Sequence, residues 1–66
     1  MNFKIEDIVA CAMFLQREFL DEILTYTSDE IVEICELVLL GYISSENSLD
    51  EYLEHEDTRE FIKRLL

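Results

Sequence analysis

The stretch from Thr27 to Tyr42, TSDEIVEICELVLLGY, constrains the fold more than any other part of the chain. Both of its ends are marked. Thr27 followed by Glu30 fits a capping box, in which the hydroxyl serves the N–H three residues on and the carboxylate reaches back to the N–H of the cap. Ser28 is the rival N-cap. Gly41 suits the position just past a C-cap, where a left-handed backbone ends a helix. A helix over about residues 28–40 follows. Within it Ile31, Val32, Ile34, Cys35, Leu37, Val38 and Leu39 cover more than half of the circumference. Asp29, Glu33 and Glu36 keep a narrow polar strip, with Leu40 at its edge. A helix this apolar needs cover on two sides. A neighbouring helix supplies one; the C-terminal segment or a second copy of the chain supplies the other, with Val32, Cys35 and Leu39 as the candidate self-association residues.

The preceding segment is expected to form a helix over about residues 5–25. At ~100° per residue, Ile5, Ile8, Val9, Ala12, Met13, Leu15, Phe19, Leu20, Ile23 and Tyr26 share one broad arc, with Asp7, Arg17, Glu18, Asp21 and Glu22 opposite. The link at Thr27 is short, so the two helices fold back as an antiparallel hairpin. Two residues break the pattern. Gln16 lies near the middle of the apolar arc, where a buried, unpaired amide costs about 1–3 kcal/mol. Phe14 lies among the charges. It is a candidate apolar anchor for a partner, set against the plainer reading of an incidental exposed ring.

Residues 43–47, ISSEN, read as a loop. Ser48 and Glu51 repeat the capping-box spacing and open a third helix over about residues 49–55. Its apolar face holds Leu49, Tyr52 and Leu53. In an unbroken helix Phe61, Ile62, Leu65 and Leu66 point nearly the opposite way, which predicts a break at residues 55–57. Asp57 or Thr58 then caps a fourth helix over about residues 58–65. The expected fold class is all-α: a single small helical bundle, an N-terminal hairpin followed by two short helices.

Charge narrows the range of partners. The 66 residues carry sixteen acids against five bases, a net charge of −11, beyond the ~2–8 that suits a small soluble domain. Between Glu18 and Thr58 there is no Lys or Arg. DNA, RNA and anionic membrane surfaces repel such a body, and a basic protein surface attracts it. No segment is long and apolar enough to span a bilayer, since Ile31 to Ile43 is interrupted by Glu33 and Glu36. The N-terminal MNFKIED lacks the layout of a signal peptide. A cytoplasmic protein with reduced thiols is therefore expected.

Sites for chemistry are poorly supported. Glu51 and His55 stand one helical turn apart, but one His with scattered carboxylates does not fill a metal shell. No DxDxDG-type loop is present for calcium. Cys11 and Cys35 lack CxxC spacing and have acidic sequence neighbours, which suits buried, inert thiols. No catalytic residue, metal or cofactor is assigned, and no enzyme is expected.

Two functional expectations remain. One is a small acidic protein-binding module, an inhibitor that occludes a basic, nucleic-acid-facing surface of a partner. Asp29, Glu33, Glu36, Asp50, Glu51 and Glu54 would form its acidic face and partly imitate a phosphate array. Compact acidic helical proteins of this kind resemble those that phages direct against host defence or transcription machinery, a resemblance of type carried by no motif. The other is a self-associating structural or adaptor module, a homodimer whose acids provide solubility alone.

Overall fold

Five helices succeed one another in residues 3–66, the part described by the computed structural model. They are α1 (Ile5–Glu18), α2 (Leu20–Ile23), α3 (Ser28–Ile43), α4 (Leu49–Glu54) and α5 (Glu56–Leu65). The fold is an all-α bundle. α1 packs along α3, α4 closes on α1, and α5 packs on α3 of its own chain. Phe3 stands beside Leu37 and Leu40, while Ala12 and Gln16 stand beside Ile31, so α1 and α3 run antiparallel. The body is only 17 Å across its shortest axis. Helix axes pack ~8–10 Å apart, so two layers fill that depth and every helix keeps a face in solvent.

Local chemistry accounts for most boundaries. At the start of α3, Thr27 Oγ1 accepts from the Glu30 N–H at 3.2 Å, and the Thr27 N–H donates to Glu30 Oε1 at 2.8 Å. Ser48 and Glu51 form the same reciprocal pair at the start of α4. The break before α5 falls at His55, whose backbone is extended (φ −65°, ψ 140°). Its Nδ1 accepts from the Asp57 N–H at 3.2 Å, so the imidazole is the cap of α5. The expected caps, Asp57 and Thr58, instead lie inside the helix, and Thr58 is buried.

The first helix does not run unbroken to residue 25. It stops at Glu18, and Phe19 takes a non-helical conformation (φ −133°, ψ 34°) before the single turn of α2. The reason lies in helical phase. Cys11, Phe14 and Leu15 define the buried face of α1. In a continuous helix Phe19 and Ile23 would drift roughly 90–130° away from that face. The break turns both back into the core, where each is buried.

Gly41 is a second departure from expectation. No residue among those described has a positive φ, and α3 continues through Gly41 to Ile43. The glycine answers a close approach. Tyr52 on α4 reaches across it to donate its hydroxyl to the Val38 carbonyl at 2.7 Å. A Cβ at position 41 would run into that hydroxyl. Tyr42 packs against the Tyr52 ring, with centroids 5.7 Å apart.

The core is one cluster: Cys11, Phe14 and Leu15 of α1, Phe19, Ile23, Ile34, Cys35 and Val38, Leu53 of α4 and Ile62 of α5. The chain end is tied down as well, because the Tyr26 hydroxyl donates to the Leu66 carbonyl at 2.8 Å.

The Gly41–Tyr52 contact is testable. Tyr52→Phe should cost about 1 kcal/mol, the net worth of one hydrogen bond. Alanine at 41 gains about 1 kcal/mol of helix propensity but displaces the tyrosine hydroxyl. Gly41→Ala should therefore be better tolerated in the Tyr52→Phe background than in the native chain, by about 1 kcal/mol. Urea unfolding of the four proteins measures this coupling, and additive effects would refute the competition.

Candidate functional site

The carboxylates singled out from the sequence fall into two sets and do not share one face. Asp29, Glu33 and Glu36 lie on the outward side of α3, where Glu33 and Glu36 border an open groove of about 370 Å³ with Phe3, Leu37 and Leu40. Asp50 and Glu54 border a separate depression of about 400 Å³ between α4 and α1, which also contains Met13, Phe14 and Arg17. The two hollows share no lining residue. Arg17 gives the second hollow a positive charge that the first lacks. Glu51 is occupied in the capping box of α4, so it serves the fold before any partner.

Among the described residues, the ion pairs use only three carboxylates: Glu18, Asp57 and Glu60. Asp29, Glu33, Glu36, Asp50 and Glu54 are in none of them. Asp50 and Glu54 share their hollow with Arg17, whereas no Lys or Arg borders the groove beside Glu33 and Glu36.

Two further expectations require correction. Phe14 is no exposed anchor, being only 3% accessible. Its side of α1 looked polar in sequence, but α4 and α5 close over it. The guanidinium groups of Arg17 and Arg59 lie 5.7 and 5.9 Å from its ring centre, and Arg59 also covers Phe19 at 5.5 Å. Cys35 and Leu39 cannot mediate self-association, because the chain's own helices bury both completely. Of that trio only Val32 reaches solvent, at 39%. Gln16 is exposed, so the cost of a buried amide does not arise.

The placement of Phe14 and Gln16 has one cause. The buried face of α1 is rotated from the centre of its apolar arc toward Cys11 and Phe14. The other edge of the arc is left outside: Ile5, Val9 and Met13 are 78%, 49% and 63% exposed. On α3, Leu37, Leu40 and Ile43 are exposed likewise. Sequence reasoning missed these outward aliphatics because apolar periodicity marks an arc wider than one neighbouring helix can cover.

Cys11 and Cys35 belong to the same core cluster at the α1–α3 seam, and both are free and buried. The neighbouring Cys35 thiol, together with burial, drives the Cys11 thiol above its ordinary range. Such a thiol is a poor nucleophile. His55 is exposed and engaged as a helix cap. Among the described residues, no three His, Cys, Asp or Glu side chains converge as a metal centre would need. No helix there is long and apolar enough to cross a membrane.

The strongest local electrostatics lie at the α1–α5 seam. Arg59 Nη1 donates to Glu18 Oε1 at 3.0 Å, and Arg17 Nε donates to Oε2 at 3.3 Å. The Arg59 hydrogen bond first, and the Arg17 bond second, hold the Glu18 carboxyl below the usual glutamate range. No family model matches the chain, and comparison with curated proteins and solved structures found no match either.

A carboxyl whose pKa is lowered by folding contributes stability above its unfolded pKa and loses it as pH falls through the folded one. Glu18→Gln should therefore be less stable than the native chain at neutral pH, and the gap should close on acidification below about pH 4. Urea midpoints of both proteins across pH test this. A gap that persists unchanged in acid would show that the Glu18–Arg59 bond is not its source.

Proposed function

We propose that the protein is a small acidic protein-binding module that occludes a basic, nucleic-acid-facing surface of a partner protein. The observation that carries this reading is that, among the described residues, thirteen of the sixteen carboxylates are in no ion pair, Asp29, Glu33, Glu36, Asp50 and Glu54 among them, on a chain of net charge −11. Uncompensated charge of one sign costs a small body self-repulsion. It also speeds encounter with an opposite charge, and that advantage falls with salt. The partner binds through Lys and Arg clusters, the same groups that would otherwise hold phosphates.

Charge reversal tests the reading without touching the core or the caps. Glu33→Lys, Glu36→Lys, Asp50→Lys and Glu54→Lys together leave Glu51 and its capping box intact. The native chain, used as bait in lysate of its native host, should capture a basic protein at low salt and release it at high salt. The reversed chain should capture none while keeping its helical circular dichroism. Undiminished capture by the reversed chain would end the proposal.

A second reading has its own observation. Ile5, Val9 and Met13 recur every four residues along α1 and are all exposed, which favours a self-associating module that pairs through α1 while its acids only keep it in solution. If so, sedimentation in the micromolar range shows a dimer, and Val9→Lys with Met13→Lys returns it to a monomer. A native chain that sediments as a monomer there excludes this reading.

A further inference from the structure

The outward face of α3 is divided along its length. At ~100° per residue, Asp29, Glu33 and Glu36 share an arc of roughly 120° with Leu37, Leu40 and Ile43. Along the helix the carboxylates come first, from Asp29 to Glu36, and the aliphatics follow, from Leu37 to Ile43. Leu37, Leu40 and Ile43 are 46%, 41% and 61% exposed. The groove of about 370 Å³ beside Phe3 joins the two halves, since Glu33, Glu36, Leu37 and Leu40 all border it. With sixteen residues, α3 offers a track ~24 Å long.

We propose that this face is the docking site for an amphipathic helix of a partner protein, with aliphatic residues at its N-terminal end and Lys or Arg at its C-terminal end. The proposal rests on the acidic-module reading and names its binding site and the form of its partner. Charge complementarity selects the occupant. A second copy fits badly in either orientation. Antiparallel pairing of two α3 faces presses each carboxylate set onto the other copy's aliphatics, burying charge without a counter-ion. Parallel pairing sets the two carboxylate rows against each other. Nucleic acid and anionic lipid are repelled by the acidic half. A helix that is aliphatic at one end and cationic at the other satisfies both halves.

The polarity also sets direction. The carboxylates of this face precede its aliphatics along α3, so a partner carrying its cations near its own C-terminus lies antiparallel to α3. Those cations then also gain from the partner's helix dipole. Aliphatic anchors spaced three or four residues apart fill the groove between Leu37 and Leu40, the usual way in which a helix is read by a groove.

The test uses the full chain and four synthetic peptides of about sixteen residues, the length of α3. The first carries leucines on one face of its N-terminal half and lysines on the same face of its C-terminal half. The second reverses that order, the third is oligolysine of equal charge, and the fourth replaces the lysines with glutamine. Amide chemical shifts of the chain are followed during titration at low and high salt. The first peptide should bind tightest, with shifts confined to the outward side of α3. Leu40→Gln, and separately Glu33→Gln with Glu36→Gln, should each weaken it about tenfold; all three positions lie outside the core, and circular dichroism checks each fold.

Shifts that centre on α1 or on the α4 hollow overturn the docking site. So does equal affinity for oligolysine, or α3 shifts that appear on self-dilution without peptide. Those results leave the acidic-module reading standing. Failure of all three cationic peptides to bind at low salt sinks both.

Discussion

Phe14 lies buried against the C-terminal helices with two guanidinium groups within 6 Å of its ring centre, and the orientation of α1 follows from that burial. Arg59 links the elements involved. It covers Phe14 and Phe19 while donating to Glu18. An arginine stacked on aromatic rings with its N–H groups turned to a carboxylate keeps its charge satisfied at low desolvation cost. The α5 helix is thereby held on its own hairpin. With Phe14 and Cys11 inside, Ile5, Val9 and Met13 have to face outward. The break at Phe19 belongs to the same rotation, because α2 must return Phe19 and Ile23 to the core.

A chain of 66 residues has little surplus stability, since only ~60% of the surface exposed by its unfolded form is buried on folding. The compensation here is local precision. Two capping boxes and an imidazole cap serve helix N-termini. Side-chain hydroxyls close two carbonyls, Val38 by Tyr52 and Leu66 by Tyr26. Among the described residues no buried side-chain nitrogen or oxygen lacks a partner. The thin body leaves a large fraction of its aliphatic residues in solvent, and these are organised on helix faces. The face on α1 is a row of aliphatics; the face on α3 joins aliphatics to carboxylates that are in no ion pair among the described residues. Their different electrostatics suit different contacts, and only the α3 face discriminates by charge.

The helical class, the hairpin, both capping boxes and the break near residue 55 were legible in the sequence, since each depends on residues within a few positions of one another. The acidic row on α3 was legible for the same reason: Asp29, Glu33 and Glu36 recur at helical spacing. The role of Gly41 was not, because nothing near it in sequence says that Tyr52 will lie across it. Nor was the cap at His55, because a side chain seldom assigned to that role happened to stand two residues before a free N–H. Phe14 was misplaced because its neighbours in sequence are charged, whereas its cover comes from Arg59, on another helix.

What the sequence determined by itself is local: the helical class, the capping boxes that start α3 and α4, and the surplus of negative charge. Hydrogen bonds at caps and the period of the helix act over three or four residues, so they can be read without knowing the fold. Which part of each broad apolar arc is buried was decided only in three dimensions. That choice depends on which helix closes over which face, as when α4 and α5 cover Phe14 and leave Val9 and Met13 to solvent. It also separates the carboxylates of α3 from those of α4, which a count of charges had placed together.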